Sequence, residues 1–162
     1  MPNLSSLLLL AVAIFAGAVV PLQAGANANL GRLLGHPLWA TVVSLGVSLA
    51  LILPMLIAFR APLPSLAVAF KGPWWIWIGG LAGVIYITAA LLLAPKLGAA
   101  SFIVAVIAGQ MVISMLIDHY GLMGFPQRPV NAARLTGLFF IVGGMVITQI
   151  ANVTPVLANA PR

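Results

Sequence analysis

The chain has 162 residues, 63% of them hydrophobic and only 5% charged, with a mean hydropathy of +1.20. Soluble domains carry roughly one-quarter charged residues, so this composition excludes an ordinary soluble fold and gives an integral membrane protein with room for five or six spans of about 20 residues each. The net charge of +6, seven Lys/Arg against one acid, would suggest nucleic acid in a soluble protein, but here the cations punctuate apolar runs one at a time. They are expected to act as headgroup anchors and topology determinants on a lipid bilayer, with no nucleic-acid partner.

The first span begins near Leu4 and stays apolar to Val20, after which PLQAGANANLG adds Pro21, Gln23 and Asn27 ahead of Arg32. Two ends are open to it: Pro21 kinks one long helix over 4–30, or the span stops there. If the helix continues, Gln23 and Asn27 share a face at i, i+4, either near the interface or lining a cavity. No basic residue precedes the apolar run, which argues for a retained helix over a cleaved leader. A second span is expected over 37–59, opening on Pro37, with Thr41, Ser44 and Ser48 on a face suited to helix packing.

APLPSLAVAFKGP, from Ala61 to Pro73, is too short and proline-bounded to cross the membrane and reads as a connection carrying a short interfacial helix. Trp74, Trp75 and Trp77 beside Lys71 then mark a membrane boundary, where a third span over 74–94 begins. Gly79, Gly83, Tyr86 and Ala90 share a face that permits close helix approach and presents one phenol near mid-membrane, pointing into protein. Pro95 to Gly98 is so short a link that the third and fourth spans are expected to form an antiparallel hairpin.

The fourth span, 98–118, ends on the only acidic residue of the chain. Gln110, Ser114 and Asp118 fall at i, i+4 and i+8, a polar stripe on an apolar cylinder, and such stripes in lipid face protein or water. Gln110 and Ser114 either bond neighbouring helices or line a cavity. Asp118 either neutralises Arg128 or Arg134 across the following connection or carries a coupling proton; its place at the end of a full-length span favours the ion pair. A fifth span over 131–150 carries Gly137, Gly144 and Thr148 on another close-packing face, and the tail ANVTPVLANAPR, without any sustained period, is expected to be poorly ordered.

Residues 1–162 thus read as one five-helix membrane domain, all-α, with substrate-cavity candidates Gln23, Asn27, Tyr86, Gln110 and Ser114. Phosphate loops, nucleophile elbows and zinc-protease motifs are missing from the sequence, and one Asp cannot form a carboxylate pair, so no enzyme is expected. With no Cys and two His, neither a disulfide nor a metal site nor any other cofactor is expected. Five spans place the termini on opposite sides. Arg60, Lys71, Arg128 and Arg134 then lie on the amino-terminal side against Arg32, Lys96 and Arg162 on the other, four against three, which is almost no positive-inside bias. A chain so balanced can insert both ways, and two copies in opposite orientations would reproduce the inverted repeats of secondary transporters.

Three stretches carry a family resemblance: PLQAGANANLGRLLGHP, GGLAGVIYITAALLLAPKLGAASF and AGQMVISMLIDHYGLMGFPQRPVNAARLTG. Together they resemble the short, five-helix YdcZ-type family of the drug/metabolite transporter superfamily over nearly the whole chain. The resemblance implies a bacterial inner-membrane protein forming half of a ten-helix inverted-repeat fold. Small multidrug exporters of that superfamily carry a membrane-embedded Glu in the first helix; none stands here, which argues against drug/proton antiport of their type. The expectation is a secondary transporter, exporter or exchanger, of a small polar metabolite, working by alternating access as an antiparallel homodimer of dual topology. The other reading is a non-transporting membrane scaffold or partner subunit.

Overall fold

In hydrocarbon a backbone N–H or C=O has no water to bond, so a lipid-exposed chain must satisfy these groups inside its own segment, and the helix does so. The structure, a computed structural model that describes residues 4–153, answers this with α-helix throughout the apolar runs. Residues 154–162, most of the tail expected to be poorly ordered, lie outside the described residues. Among the described residues five helical stretches are long and apolar enough to cross a membrane: Leu4–Leu33, Pro37–Ala58, Trp74–Leu97, Ala99–Tyr120 and Ala132–Ala151.

Helix α1 (Leu4–Leu33) is one helix of 30 residues that continues through Pro21. At 1.5 Å per residue it is about 45 Å long, beyond the roughly 30 Å of hydrocarbon, so the helix must tilt or carry its Asn29–Leu33 end past the apolar layer. It closes where Leu34 N–H donates to Leu30 O at 2.9 Å and Gly35 takes a positive φ of 79°. Helix α2 (Pro37–Ala58) starts with proline at its first position, where no N–H is missed, and His36 caps it by accepting from the Leu38 N–H through Nδ1 at 3.2 Å. The connection that follows holds a four-residue helix, α3 (Leu66–Ala69), and a 3₁₀ turn at Trp74–Trp77, with the Phe70 and Trp77 rings stacked at 5.3 Å. Helix α4 spans Ile78–Leu97, α5 spans Ala99–Tyr120 and α6 spans Ala132–Val153.

The chain divides between Lys96 and Leu97 into two compact units. In the first, α1, α2 and α4 converge on Gly31, where an added Cβ would lie 3.4 Å from Pro37 Cα, 3.6 Å from Ala40 Cβ and 3.7 Å from Leu91 Cδ2. Ala24, Ala40, Ala90, Leu91 and Ala94 are buried; small residues let backbones approach where lipid offers no hydrophobic drive. Side-chain bonds cross this unit: Asn27 Nδ2 donates to Ser44 Oγ at 3.0 Å, and the Thr41 and Thr88 hydroxyls lie 3.3 Å apart. In the second unit α5 packs with α6, and Gln149 Nε2 on α6 donates to the backbone oxygen of Ser101 at 3.2 Å.

The glycine faces behave differently from their expected packing. Nothing lies within 4 Å of a Cβ built at Gly79, Gly80, Gly83, Gly137 or Gly144, so among the described residues no helix of its own unit sits against any of them. Thr148, on the same α6 stripe, donates to Gly144 O of its own helix at 2.8 Å.

Gly31 is therefore the glycine on which packing of the first unit turns. Gly31→Leu should force α1, α2 and α4 apart and cost about 1–3 kcal/mol, seen as a lower Tm of the monomer in detergent, whereas Gly17→Ala, which meets open space, should leave Tm unchanged or slightly raised.

Candidate functional site

Three of the polar residues on α1 and α4 come together. Gln23, Asn27 and Tyr86 line one recess with Val20, Ala24, Ile87 and Ala90. The α1 members fall at 20, 23, 24 and 27, and the α4 members at 86, 87 and 90, so two helical faces meet along a seam. Continuity of α1 through Pro21 is what brings Gln23 and Asn27 onto it. The recess is small, about 10 Å³, room for about one water. Asn27 is buried and its amide donates to Ser44 Oγ; Gln23 is exposed and Tyr86 half-buried.

The remaining cavity candidates lie elsewhere. Gln110 and Ser114 are exposed on α5, in the second unit, while the buried residues of that helix are Ser101, Phe102, Ala108 and Met115. They share a face, as their spacing requires, but it is a face that their own unit leaves open.

At the end of α5 a tight loop is built around Asp118. Arg134 Nη2 donates to Asp118 Oδ2 at 3.0 Å, with each side chain about one-third exposed. Arg128 contributes through its backbone: its N–H donates to Asp118 O at 2.7 Å, and its carbonyl accepts from Arg134 Nη1 at 3.1 Å. Arg134 is thus a clamp on both ends of the loop, and Asn131 Oδ1 caps the first turn of α6 by accepting from the Arg134 N–H at 2.9 Å. His119 Nδ1 accepts from the Val130 N–H at 3.1 Å, and Gln127 Nε2 donates to His119 O at 3.0 Å. Gly121 ends α5 with φ 61°, packed so that an added Cβ would meet Gln127 Cβ at 3.2 Å.

Sequence reasoning missed several of these partners. Ser44 and Thr41 read only as packing hydroxyls and Thr88 was assigned no role, although a hydroxyl stripe facing an amide stripe is the signal for interhelical bonds. His119, Gln127 and Asn131 gave no advance sign, since their bonds depend on a loop conformation. Among the described residues no group of three His, Cys, Asp or Glu is placed to hold a metal ion.

Comparison with known proteins gives one match: residues 8–147 fit the profile of the family DMT_YdcZ, described as "Putative inner membrane exporter, YdcZ". The chain belongs to this family. Neither the curated proteins nor the solved structures include a match. Membership of the drug/metabolite transporter superfamily over most of the chain, with five helices long enough to span, gives a multi-pass membrane protein of transport function.

The loop chemistry separates two kinds of contribution. A partly exposed ion pair adds at most about 1 kcal/mol, so Asp118→Asn should lower stability only slightly, whereas Gly121→Ala must both adopt a left-handed φ and displace Gln127 and should cost about 1–2 kcal/mol. Chemical or thermal unfolding of the two variants in detergent should rank them in that order.

Proposed function

We propose that the chain is a secondary transporter of a small polar metabolite in a bacterial inner membrane, working by alternating access as an antiparallel homodimer of dual topology. The observation that carries this reading is the convergence of Gln23, Asn27 and Tyr86 on one recess between two largely apolar helices. Amide and phenol groups supply donors and acceptors without charge, which suits a polar neutral moiety. The recess as it stands accommodates only about one water, so a substrate site requires helix movement or a second copy to enlarge it.

A second copy is supported by what the chain leaves uncovered. Gln110 and Ser114 are exposed at membrane depth, where an amide facing lipid is costly, and the glycines of α4 and α6 present faces smooth enough for close approach. The near balance of Lys/Arg, four against three, provides for both orientations, and opposed copies form the inverted repeat that alternating access uses. In that assembly Gln110 and Ser114 join the substrate cavity. Asp118, paired with Arg134 at the end of α5, takes in this reading the role of holding a loop together.

A non-transporting membrane subunit is the second reading, favoured by the smallness of the recess. Purified protein in liposomes, screened over small polar metabolites, separates the two: a folded assembly that moves none of them supports the subunit. With a substrate in hand, Gln23→Ala, Tyr86→Phe and Gln110→Ala should each lower transport about tenfold, the worth of one lost hydrogen bond, while Tm stays near wild type. Unchanged transport in all three would remove them from the cavity. A folded Asp118→Asn variant should keep the wild-type pH dependence.

Orientation is tested separately. Reporters fused to the tail should appear on both sides of the membrane, and two or three Lys added beside Leu97 should force one orientation and abolish transport. A tail found on one side only in every molecule would refute dual topology.

A further inference from the structure

Two of the seven cations line one cleft. Arg32, in the last turn of α1, and Lys96, in the last turn of α4, border a cleft of about 330 Å³ whose other walls are Ala28, Gly31, Gly35, Pro37, Leu91, Leu92 and Pro95. The cleft lies where the C-terminal ends of α1 and α4 meet the first residue of α2, so it stands at one end of the membrane-spanning part of this unit. Both cationic side chains are exposed.

Among the described residues no carboxylate balances them. The sole acidic residue, Asp118, is already engaged by Arg134 at 3.0 Å. Arg32 Nη2 donates to Asn29 Oδ1 at 3.0 Å, which orients the guanidinium but brings no charge. The C-terminal ends of α1 and α4 contribute about half a negative charge each, against two full positive charges and about half a positive charge from the start of α2. A net positive potential remains in a cleft with apolar walls, at the depth where headgroups lie.

We infer that this cleft binds a phosphate-type oxyanion, supplied by the headgroup of an anionic phospholipid whose chains run down the apolar wall. The walls favour the lipid over a free anion. Leu91, Leu92, Pro37 and Pro95 offer a soluble phosphate no donor, whereas they offer a lipid glycerol and upper acyl segment an apolar bed directly beneath the charge. Arg presents a planar fork to phosphate oxygens, and Lys a mobile point charge that can follow headgroups of different size.

The test uses full-length purified protein in detergent, incubated with phosphatidylglycerol, phosphatidylcholine or inorganic phosphate, with bound lipid counted by native mass spectrometry and Tm followed in parallel. Wild type should retain phosphatidylglycerol over phosphatidylcholine and gain Tm with it. Arg32→Gln/Lys96→Gln should retain it at least about tenfold more weakly, while Arg60→Gln/Lys71→Gln, which removes the same charge elsewhere, should bind as wild type. Equal losses in both double variants would mean that diffuse charge attracts the lipid, and the cleft assignment would fall. Inorganic phosphate that stabilises wild type and displaces phosphatidylglycerol would overturn the lipid as the source. Should the first double variant fail to fold, wild type alone still decides: no preference for the anionic lipid refutes the inference.

Discussion

A carboxylate, an amide or a guanidinium inside a bilayer has to find its partner in the protein, because the hydrocarbon offers none. This constraint accounts for much of how the polar residues of the chain are deployed. Asn27 reaches Ser44, Thr41 faces Thr88, and Gln149 reaches the backbone of Ser101, each bond joining helices that have no hydrophobic gain from meeting. In the first unit small residues at Ala24, Gly31, Ala40, Ala90 and Ala94 are buried, as close helix approach requires. Packing and polar pairing are therefore one device: the small residues set the distance and the polar ones use it.

The single acid follows the same logic at the boundary. Asp118 sits in the last turn of α5, where the negative end of the helix would repel a lone carboxylate; Arg134 at the start of α6 reverses that balance and also reaches the Arg128 carbonyl. The Asp118 backbone oxygen meanwhile accepts from the Arg128 N–H, so side chain and main chain of one residue fix both ends of the turn. Ion pairs of this exposure add little to global stability. Their effect here is geometric, setting how α5 gives way to α6.

Five helices long and apolar enough to cross a bilayer were legible in the sequence because hydropathy and length alone decide whether a segment can do so. Pro21 was the ambiguous point, since proline removes one N–H whether a helix ends or merely bends there; the structure carries α1 on to Leu33. The meeting of Gln23 and Asn27 with Tyr86 was half legible. Spacing put each on a defined face, but which face of α1 meets which face of α4 depends on rotation about the helix axes, and a nearly uniformly apolar helix carries little information about that. The loop after α5 was least legible, because Val130 N–H to His119 Nδ1 and Gly121 against Gln127 arise from a turn conformation that no periodicity encodes.

The open glycine faces mark where sequence logic and the folded chain part company in an informative way. Gly31 is used within the chain, tightly enough that a larger side chain would separate three helices, while Gly83 and Gly144 meet nothing, although all three looked alike as small residues in apolar helices. A glycine inside a helix lowers its intrinsic stability, so a packed glycine is explained by what it lets approach and an open one is not. Gln110 and Ser114 add the same asymmetry in polar terms, being exposed where Asn27 and Ser44 are bonded to each other. Both kinds of residue lose their cost once a further helix lies against them, the glycines by close contact and the amide by a partner. Physical economy within one chain thus divides the small and polar residues into those that its own packing and hydrogen bonds use and those that they leave uncovered.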